Sequence, residues 1–279
     1  MGDPVGPQEL HDELVWRFRE LVESYNGRVA FYQVSDRSLG VYVDLGLTLA
    51  KIGEDARVSL NGFSLEGSAR ADLRQARNRA SKNGAGFEVI PRALVPSISA
   101  ELRAVSDQWL ADKSAAEKGF SLGAFSETYI ANFDCAVVKV NNRIVAFANL
   151  WPAPSGGELS IDLMRYDQNA PKGTMDYLFT ELLLWGSTNG YQCFNLGMAP
   201  LSGLEQRRFA PLWHKLGNLI YSHGESFYNF EGLRSYKEKF SPQWESRYLA
   251  CPAGWVNLSL VLVDVSSLIS GSVAKTVHR

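Results

Sequence analysis

The amino-acid sequence predicts an α+β fold built in α/β layers, and three observations support this prediction. Segments with apolar residues at helical spacing alternate with short segments typical of strands. Turn residues such as Asn141-Asn142 and Asn189-Gly190 separate these segments. The 279 residues are 46% hydrophobic and 21% charged, which is typical of a globular chain with a full core. Helices packed on both faces of a sheet would bury such segments.

The first half of the chain is predicted to be a helix followed by an antiparallel meander. Residues 8–24 carry apolar side chains at helical spacing, and Asn26-Gly27 ends the helix. Strand-like runs follow at Arg28–Val34, Leu39–Leu45 and Leu47–Ile52. A basic helix is then expected over Ser68–Lys82, and a short strand over Phe87–Ile90.

The second half is predicted to alternate helices with strands. Helices are expected at Ser99–Lys113 and at Thr174–Thr188, with Thr174 as the cap of the second. The expected strands are Cys135–Val140, Arg143–Leu150, Glu158–Met164 and Tyr191–Leu196, the first two joined by a hairpin turn at Asn141-Asn142. Pro91 and Pro96 suggest a boundary between a domain of residues 1–95, which includes the basic helix at 68–83, and a domain of residues 96–279.

Charge and composition exclude several classes of protein. The formal net charge of -2 is unlike that of a polycation that coats nucleic acid, so an anionic partner must meet a local basic patch. The cysteines lie among apolar residues, which predicts buried thiols in a reducing compartment: Cys135, Cys193 and Cys251. The histidines lack metal-ligand spacing, so no metal is expected.

Neither end of the chain is predicted to cross a membrane. The N-terminus has no apolar signal core, and polar residues interrupt the apolar segment Trp255–Ile269, which is shorter than the roughly 20 residues of a membrane span. We therefore expect a soluble chain, cut from a longer protein, that can still touch a membrane surface.

Asp162 is the first candidate for chemistry because it lies in the apolar strand segment Leu159–Met164. A carboxylate there is costly unless it meets a cation or a ligand amine. Arg165 follows at the strand end, but strict alternation places it on the opposite face. A shared site therefore requires the strand to bend after Met164. The alternatives are an internal salt bridge and an arginine that faces solvent.

Lys237 and the segment Asn195–Gly203 are two further candidates. In a helix, Lys237 shares a face with Arg234, and its ammonium can hold a phosphate or an acyl carbonyl; the alternative is a solvated helix with surface ion pairs. Asn195–Gly203 is a glycine-bearing loop after a strand, where backbone amides often meet ligands, although a plain turn explains it equally well. His214 and His223 lie near no nucleophile motif, so a catalytic histidine is not favoured.

The basic helix at Ser68–Lys82 contains five cations and one acid. A rotation of about 100° per residue places Arg70, Arg74 and Arg77 in one stripe. Such a stripe can contact a phosphate backbone without reading sequence, or it can be a solvated face.

Motifs that follow one another over nearly the whole chain are Gly2–Gly6, Phe63–Gly67 with Asp72–Arg74, Glu117–Gly123, Asp162–Tyr166, Gly173–Asp176, Phe194–Ser202 and Tyr228–Leu249. In these motifs the chain resembles the cytoplasmic catalytic domain of the aminoacyl-phosphatidylglycerol synthases, also called phosphatidylglycerol lysyltransferases. The resemblance implies tandem acetyltransferase-like (GNAT-like) domains joined by the basic helix. It also implies a tunnel that admits aminoacyl-tRNA from one side and phosphatidylglycerol from the other.

The implied activity is the transfer of a lysyl or alanyl group from aminoacyl-tRNA to phosphatidylglycerol, without a cofactor. The product makes the membrane surface less anionic and favours resistance to cationic antimicrobial peptides. Family members normally carry an N-terminal transmembrane portion, so the resemblance places this domain at the cytoplasmic face of the bacterial inner membrane.

The resemblance also implies roles for individual residues. The catalytic residues are Asp162, Arg165 and Lys237, the substrate-binding residues are Asn195, Gly197, Met198, Ser202, Glu231 and Arg234, and the tRNA-binding residues are Arg70, Arg74 and Arg77. Two rival functions stay open. One is an acetyl-CoA-dependent N-acetyltransferase, although the sequence lacks its Gln/Arg-x-x-Gly-x-Gly/Ala loop; the other is a non-catalytic module that binds tRNA or an anionic membrane.

Overall fold

The computed structural model describes residues 1–112, 117, 119–121, 123–204 and 230–270, and it divides into two compact units. The first unit consists of Met1–Ala56 and Met198–Ser267. The second consists of Arg57–Gly197 and the residues from Leu268 onward. Each unit is therefore assembled from two separate stretches of the chain.

The described helices and strands follow one another in chain order. The helices are α1 (His11–Ser24), α2 (Leu39–Asp44), α3 (Ala71–Lys82), α4 (Val95–Asp112), α5 (Glu127–Ile130), α6 (Thr174–Thr188), α7 (Phe230–Glu238) and α8 (Trp255–Ser270). The strands are β1 (Phe31–Ser35), β2 (Leu47–Ser59), β3 (Ala85–Ile90), β4 (Cys135–Val140), β5 (Arg143–Pro152), β6 (Glu158–Tyr166), β7 (Cys193–Pro200) and β8 (Gln243–Pro252). Among the described helices, none is long and apolar enough to cross a membrane.

In the first unit the strand order is β1-β8-β2, with β1 and β8 antiparallel. Successive side chains of a strand point to opposite faces. On β8, Leu249 and Cys251 pack with Leu258 and Val261 of α8, while Ala250 packs with residues of α1 and α2. Helices therefore cover both faces of this part of the sheet, as the predicted layered fold requires.

The prediction of a strand at Leu39–Leu45 was wrong, because α2 occupies this segment. Val41, Tyr42 and Leu45 are buried, and their spacing fits one side of a helix better than alternation along a strand. Gly46 follows with a φ of 71°, a left-handed conformation that ends the helix. In so short an apolar segment, tertiary packing decides between helix and strand.

In the second unit the strand order is β7-β6-β5-β4-β3. The pairs from β3 to β6 are antiparallel, and β6 pairs with β7 in parallel. Leu102 and Val105 of α4 pack against Val137 of β4 and Phe147 of β5, while Ala136 and Val138 are buried on the other face of β4. The predicted hairpin is confirmed, since Asn141 and Asn142 form its two-residue turn with φ values of 51° and 61°.

The predicted boundary at residues 95 and 96 does not coincide with the division into units. Strand β3, before that boundary, pairs with β4, after it, along its whole length from Ala85↔Val140 to Ile90↔Cys135. Pro96 lies in the first turn of α4, where a missing N–H costs nothing. Residues 57–95, including the basic helix, belong to the second unit. The tandem GNAT-like organisation stays a prediction.

Two smaller expectations concern a cap and the cysteines. Gly173, with a φ of 89°, is the N-cap of α6 instead of Thr174, whose hydroxyl donates to the Pro171 carbonyl at 2.7 Å. The three cysteines form no disulfide bond; Cys135 and Cys251 are buried and Cys193 is half-buried. Burial raises the pKa of the Cys135 thiol to about 12, so this thiol is unreactive at neutral pH.

Candidate functional site

A β-bulge places Asp162 in the second unit. Asp162 and Leu163 of β6 lie opposite the single residue Asn149 of β5. The Asn149 side-chain oxygen accepts hydrogen bonds from the backbone N–H groups of both residues, at 3.3 and 2.7 Å. Such a bulge inserts one residue and shifts the alternation of side chains beyond it. The irregularity that Asp162 and Arg165 need in order to share a face is therefore present, but it lies at the bulge and not after Met164.

The Asp162 carboxylate is half-buried and is held by neutral donors. Its Oδ1 accepts a hydrogen bond from the Gly123 N–H at 2.8 Å, and its Oδ2 accepts a short one from the Tyr129 hydroxyl. Within the described ranges no lysine, arginine or histidine forms an ion pair with it, so the alternative of an internal salt bridge is not seen there. Burial and the Asp162 carboxylate both raise the pKa of Tyr129, so the phenol stays a donor at neutral pH.

The backbone of Gly123 lies directly against Asp162. A Cβ at position 123 would be 2.0 Å from Asp162 Oδ2. We expect Gly123→Ala to displace the carboxylate, break its hydrogen bonds and lower the free energy of unfolding by about 1–3 kcal/mol. Urea denaturation measures this change. Gly86→Ala in β3 is the control, because an added Cβ there meets nothing within 4 Å and should change stability by less than about 0.5 kcal/mol. Equal stabilities of the two variants would contradict the prediction.

Arg165 lies beyond the bulge, and its side chain is only 11% exposed. Its Nη2 donates to Glu117 Oε2 at 2.9 Å, its Nη1 donates to the Met164 carbonyl at 3.0 Å, and its guanidinium stacks over Trp109 at 4.2 Å. The other Glu117 oxygen accepts the Phe125 N–H at 3.1 Å. The Arg165 guanidinium is thus largely buried, and it is already paired with Glu117 and stacked on Trp109. Through Glu117 it supports the segment that contacts Asp162.

Lys237 lies in the first unit and is buried, with 6% exposure, so the alternative of a solvated surface position is wrong for this residue. Its Nζ donates to the Met198 carbonyl of β7 at 3.0 Å. Burial lowers the pKa of Lys237 to about 8, although the nearby Asp55 carboxylate opposes this shift. The amine is therefore mainly cationic at neutral pH but releases its proton far more readily than an exposed lysine.

Glu54 brings together Ser202 and Arg234, two of the predicted substrate-binding residues. Its Oε2 accepts hydrogen bonds from Arg234 Nη1 at 2.6 Å and from the Ser202 hydroxyl at 2.9 Å. Arg234 also contacts the Ser202 hydroxyl directly and stacks over Trp244 at 4.1 Å. Glu54 was not among the residues predicted from the sequence. Its neighbours include the charged residues Lys51, Asp55 and Arg57, so the pattern that selected Asp162, a carboxylate among apolar strand residues, is absent around Glu54.

The predicted loop at Asn195–Gly203 is in part a strand, because β7 continues to Pro200. Gly197 interrupts its regular geometry with a φ of 79°. The Asn195 side chain accepts the Gly197 N–H at 2.8 Å and donates to Glu158 at 3.1 Å. These side chains therefore shape the strand locally, and the turn itself covers only residues 201–203. The Glu231 side chain, His214 and His223 lie outside the described parts of the chain.

Each arginine of the predicted tRNA-binding stripe has a partner within the second unit. Arg70 stacks over Phe63 at 4.9 Å. Arg74 donates to the carbonyl of Gly67 at 2.6 Å, and Arg77 forms an ion pair with Glu181 of α6 at 2.5 Å. These contacts hold α3 against its own unit. The cations that α3 exposes to solvent include Arg79 and Lys82.

The chain is similar in sequence to one protein family and to several of its curated members. Residues 1–251 match the family described as "Phosphatidylglycerol lysyltransferase, C-terminal". A phosphatidylglycerol lysyltransferase of Bacillus subtilis (strain 168) is 37% identical over 274 residues, which are 98% of this chain and 32% of the relative. The corresponding protein of Staphylococcus xylosus is 36% identical over 250 residues, covering 89% of this chain and 30% of the relative. The chain thus spans about a third of the length of these curated relatives.

Two solved structures are similar over nearly the whole chain. The C-terminal domain of a putative lysylphosphatidylglycerol synthetase from Agrobacterium fabrum has a TM-score of 0.87 and 44% identity, covering 98% of this chain and 82% of that one. L-PGS from Bacillus licheniformis has a TM-score of 0.82 and 38% identity, covering 96% and 81%. The match over residues 1–251 and these identities show that the chain belongs to the phosphatidylglycerol lysyltransferase C-terminal family.

Proposed function

We propose that this chain transfers an aminoacyl group, lysyl or alanyl, from aminoacyl-tRNA to phosphatidylglycerol. Membership of the family supports the proposal, since the relatives at 37% and 36% identity are named phosphatidylglycerol lysyltransferase. The structural observation that carries it is the half-buried Asp162 carboxylate, which neutral groups hold and which has no ion pair within the described ranges. Such a charge suits an ammonium ligand, and every aminoacyl ester carries one.

The proposed reaction is a direct transfer with no acyl-enzyme intermediate. A glycerol hydroxyl of the lipid attacks the ester carbonyl, a new carbon–oxygen bond forms, and the bond to the tRNA ribose oxygen breaks. The proton lost by the lipid hydroxyl ends on the ribose oxygen. We propose each role from the contacts within one unit: the Lys237 ammonium of the first unit stabilises an oxyanion, and the Asp162 carboxylate of the second unit binds an ammonium group. Arg165 acts through Glu117 as a positioning residue, because its guanidinium is already paired and stacked.

The wider setting is part of the same proposal. Addition of a lysyl group gives an anionic lipid a cationic head group, so the membrane surface becomes less anionic and attracts cationic antimicrobial peptides less strongly. A membrane-spanning portion of a longer parent protein would hold this domain at the cytoplasmic face, where charged tRNA is present.

The test of this function is a transfer assay. The chain is incubated with tRNAs separately charged with labelled lysine or alanine and with phosphatidylglycerol vesicles, and the label in the lipid is counted. We expect transfer from one of these tRNAs. Binding of tRNA or vesicles without transfer would favour the non-catalytic module, and acetylation of an amine in the presence of acetyl-CoA would favour the acetyltransferase.

The exposed face of α3 leads to a separate prediction about tRNA. We expect the double variant Arg79→Gln/Lys82→Gln to bind aminoacyl-tRNA more weakly. With each phosphate contact that is lost, binding releases fewer counterions from the tRNA. The slope of log affinity against log salt should fall by about 1 per contact. Fluorescence anisotropy over a salt series measures both effects. Arg17→Gln on α1, an exposed arginine, is the control, and an equal effect of both changes would contradict this role of α3.

A further inference from the structure

Glu54 connects three elements of the first unit. Its carboxylate accepts hydrogen bonds from Lys51 of β2, from Ser202 in the turn after β7 and from Arg234 of α7, at 2.7, 2.9 and 2.6 Å. The Glu54 side chain is 13% exposed. Burial opposes its ionisation, but the hydrogen bonds from Lys51, Ser202 and Arg234 outweigh burial and lower the pKa of Glu54. The carboxylate is therefore ionised at neutral pH and accepts all three bonds.

The turn after β7 is shaped around this carboxylate. Gly203 has a φ of 66°, which favours glycine. A Cβ at this position would be 2.0 Å from Glu54 Oε1. Only a residue without a side chain lets the turn approach Glu54 this closely, so the contact depends on backbone geometry as well as on charge.

The contacts of Glu54 lie beside those of Lys237. Arg234 and Lys237 are three residues apart on α7 and share a face, with about 5–6 Å between Cβ atoms at such spacing. Met198, whose carbonyl accepts from Lys237, precedes Ser202 by four residues. The end of β7 and helix α7 are therefore joined twice, once through Glu54 and once through Lys237.

We propose that Glu54 is a positioning residue for Lys237, because it holds Arg234 and Ser202 and so fixes α7 against the end of β7. This inference rests on the proposed function of Lys237 in aminoacyl transfer. Asp55, the next residue of β2, has a different part: it balances the Lys237 charge and forms a buried ion pair with Arg247 of β8 at 2.8 Å. Glu54 acts on the direction of the ammonium, not on its charge.

The kinetic test uses Glu54→Gln, which keeps the shape of the side chain. We expect kcat for transfer to fall on the order of 10-fold, by a larger factor than KM for tRNA or lipid rises, because a group misplaced by about 1 Å costs up to about 100-fold in rate. In a Lys237→Ala background the same change should cause no further loss. An unchanged kcat, or an equal loss in both backgrounds, would overturn the inference.

The matched control is Asp167→Asn in the second unit. Asp167 is also a buried carboxylate, and it pairs with Arg143 at 3.1 Å. It has no role in the proposed transfer. This variant removes the same charge at similar burial. We expect it to lower the melting temperature and leave kcat unchanged, which separates a loss of stability from a loss of positioning.

A second measurement does not depend on activity. Lysine amines are labelled competitively with acetic anhydride over a pH series, and mass spectrometry reads the extent of labelling at Lys237. We expect several-fold faster labelling in Glu54→Gln than in the wild type and no change in Asp167→Asn. Identical labelling of Lys237 in folded wild type and Glu54→Gln would overturn the inference. If the wild type transfers no amino acid, the proposed function fails, and this labelling still decides the role of Glu54.

Discussion

Replacement of Asp162 by asparagine is expected to lower kcat/KM for aminoacyl transfer by on the order of 100-fold. Asparagine keeps the size of the side chain and an oxygen that can accept the Gly123 N–H, so the bulge should survive. The loss comes from the missing charge, because a desolvated ammonium without its partner costs roughly 3 kcal/mol or more. The measurement is the initial rate of label transfer from charged tRNA into phosphatidylglycerol vesicles.

Two further variants decide whether the charge of Asp162 is the cause. Tyr129→Phe removes one donor and leaves the charge, so we expect a smaller loss of about 10-fold, consistent with one hydrogen bond to a charged group. Asp107→Asn changes an exposed carboxylate on α4 and should leave transfer unchanged. Transfer by Asp162→Asn at the wild-type rate would remove Asp162 from the proposed mechanism.

Replacement of Lys237 by methionine is expected to lower kcat by roughly 100- to 1000-fold, the cost of removing one preorganised oxyanion donor. Lys237→Arg should not restore the rate, because a planar guanidinium does not fit the position of a buried ammonium that donates to the Met198 carbonyl. Lys239→Met changes an exposed lysine of the same region and serves as the control. Equal rates for the two methionine variants would contradict the assignment.

The lowered pKa of Lys237 predicts opposite effects of pH on activity and on stability. Burial lowers the pKa of Lys237 from 10.5 to about 8, so between these values the unfolded chain binds a proton that the folded chain has released. The free energy of unfolding therefore rises with pH across this window, by about 3 kcal/mol. Below about pH 8 both states carry the charge, and the full cost of burying it remains.

Lys237→Met should accordingly be more stable than the wild type at pH 7 and should lack this rise in stability between pH 8 and 10.5. Urea denaturation at several pH values measures it. Transfer by the wild type should decline as the pH rises through about 8, because the oxyanion needs the ammonium form. A rate that instead rises toward pH 8 and above would assign Lys237 the role of a base.

Local patterns predicted those elements in which neighbours along the chain suffice. The apolar stripes of α1 and α6 repeat over three or more turns, and two adjacent asparagines in left-handed conformations form the β4–β5 turn. A charge in an apolar setting selected Asp162, whereas the helix face shared with Arg234 and the family resemblance selected Lys237. Here the sequence alone determined which residues to suspect.

Tertiary structure decided where those residues lie and what they contact. The helix at Leu39–Asp44 depends on packing across its unit. The pairing of β3 with β4 groups residues 57–95 with the residues that follow the predicted boundary. The bulge at Asp162 exists because Asn149, thirteen residues earlier, accepts both backbone N–H groups. The part that Glu54 plays depends on Ser202 and Arg234, two donors that are more than one hundred residues away in the chain. Hydrogen bonds of such long sequence separation leave no periodic signal, so only the folded chain reveals them.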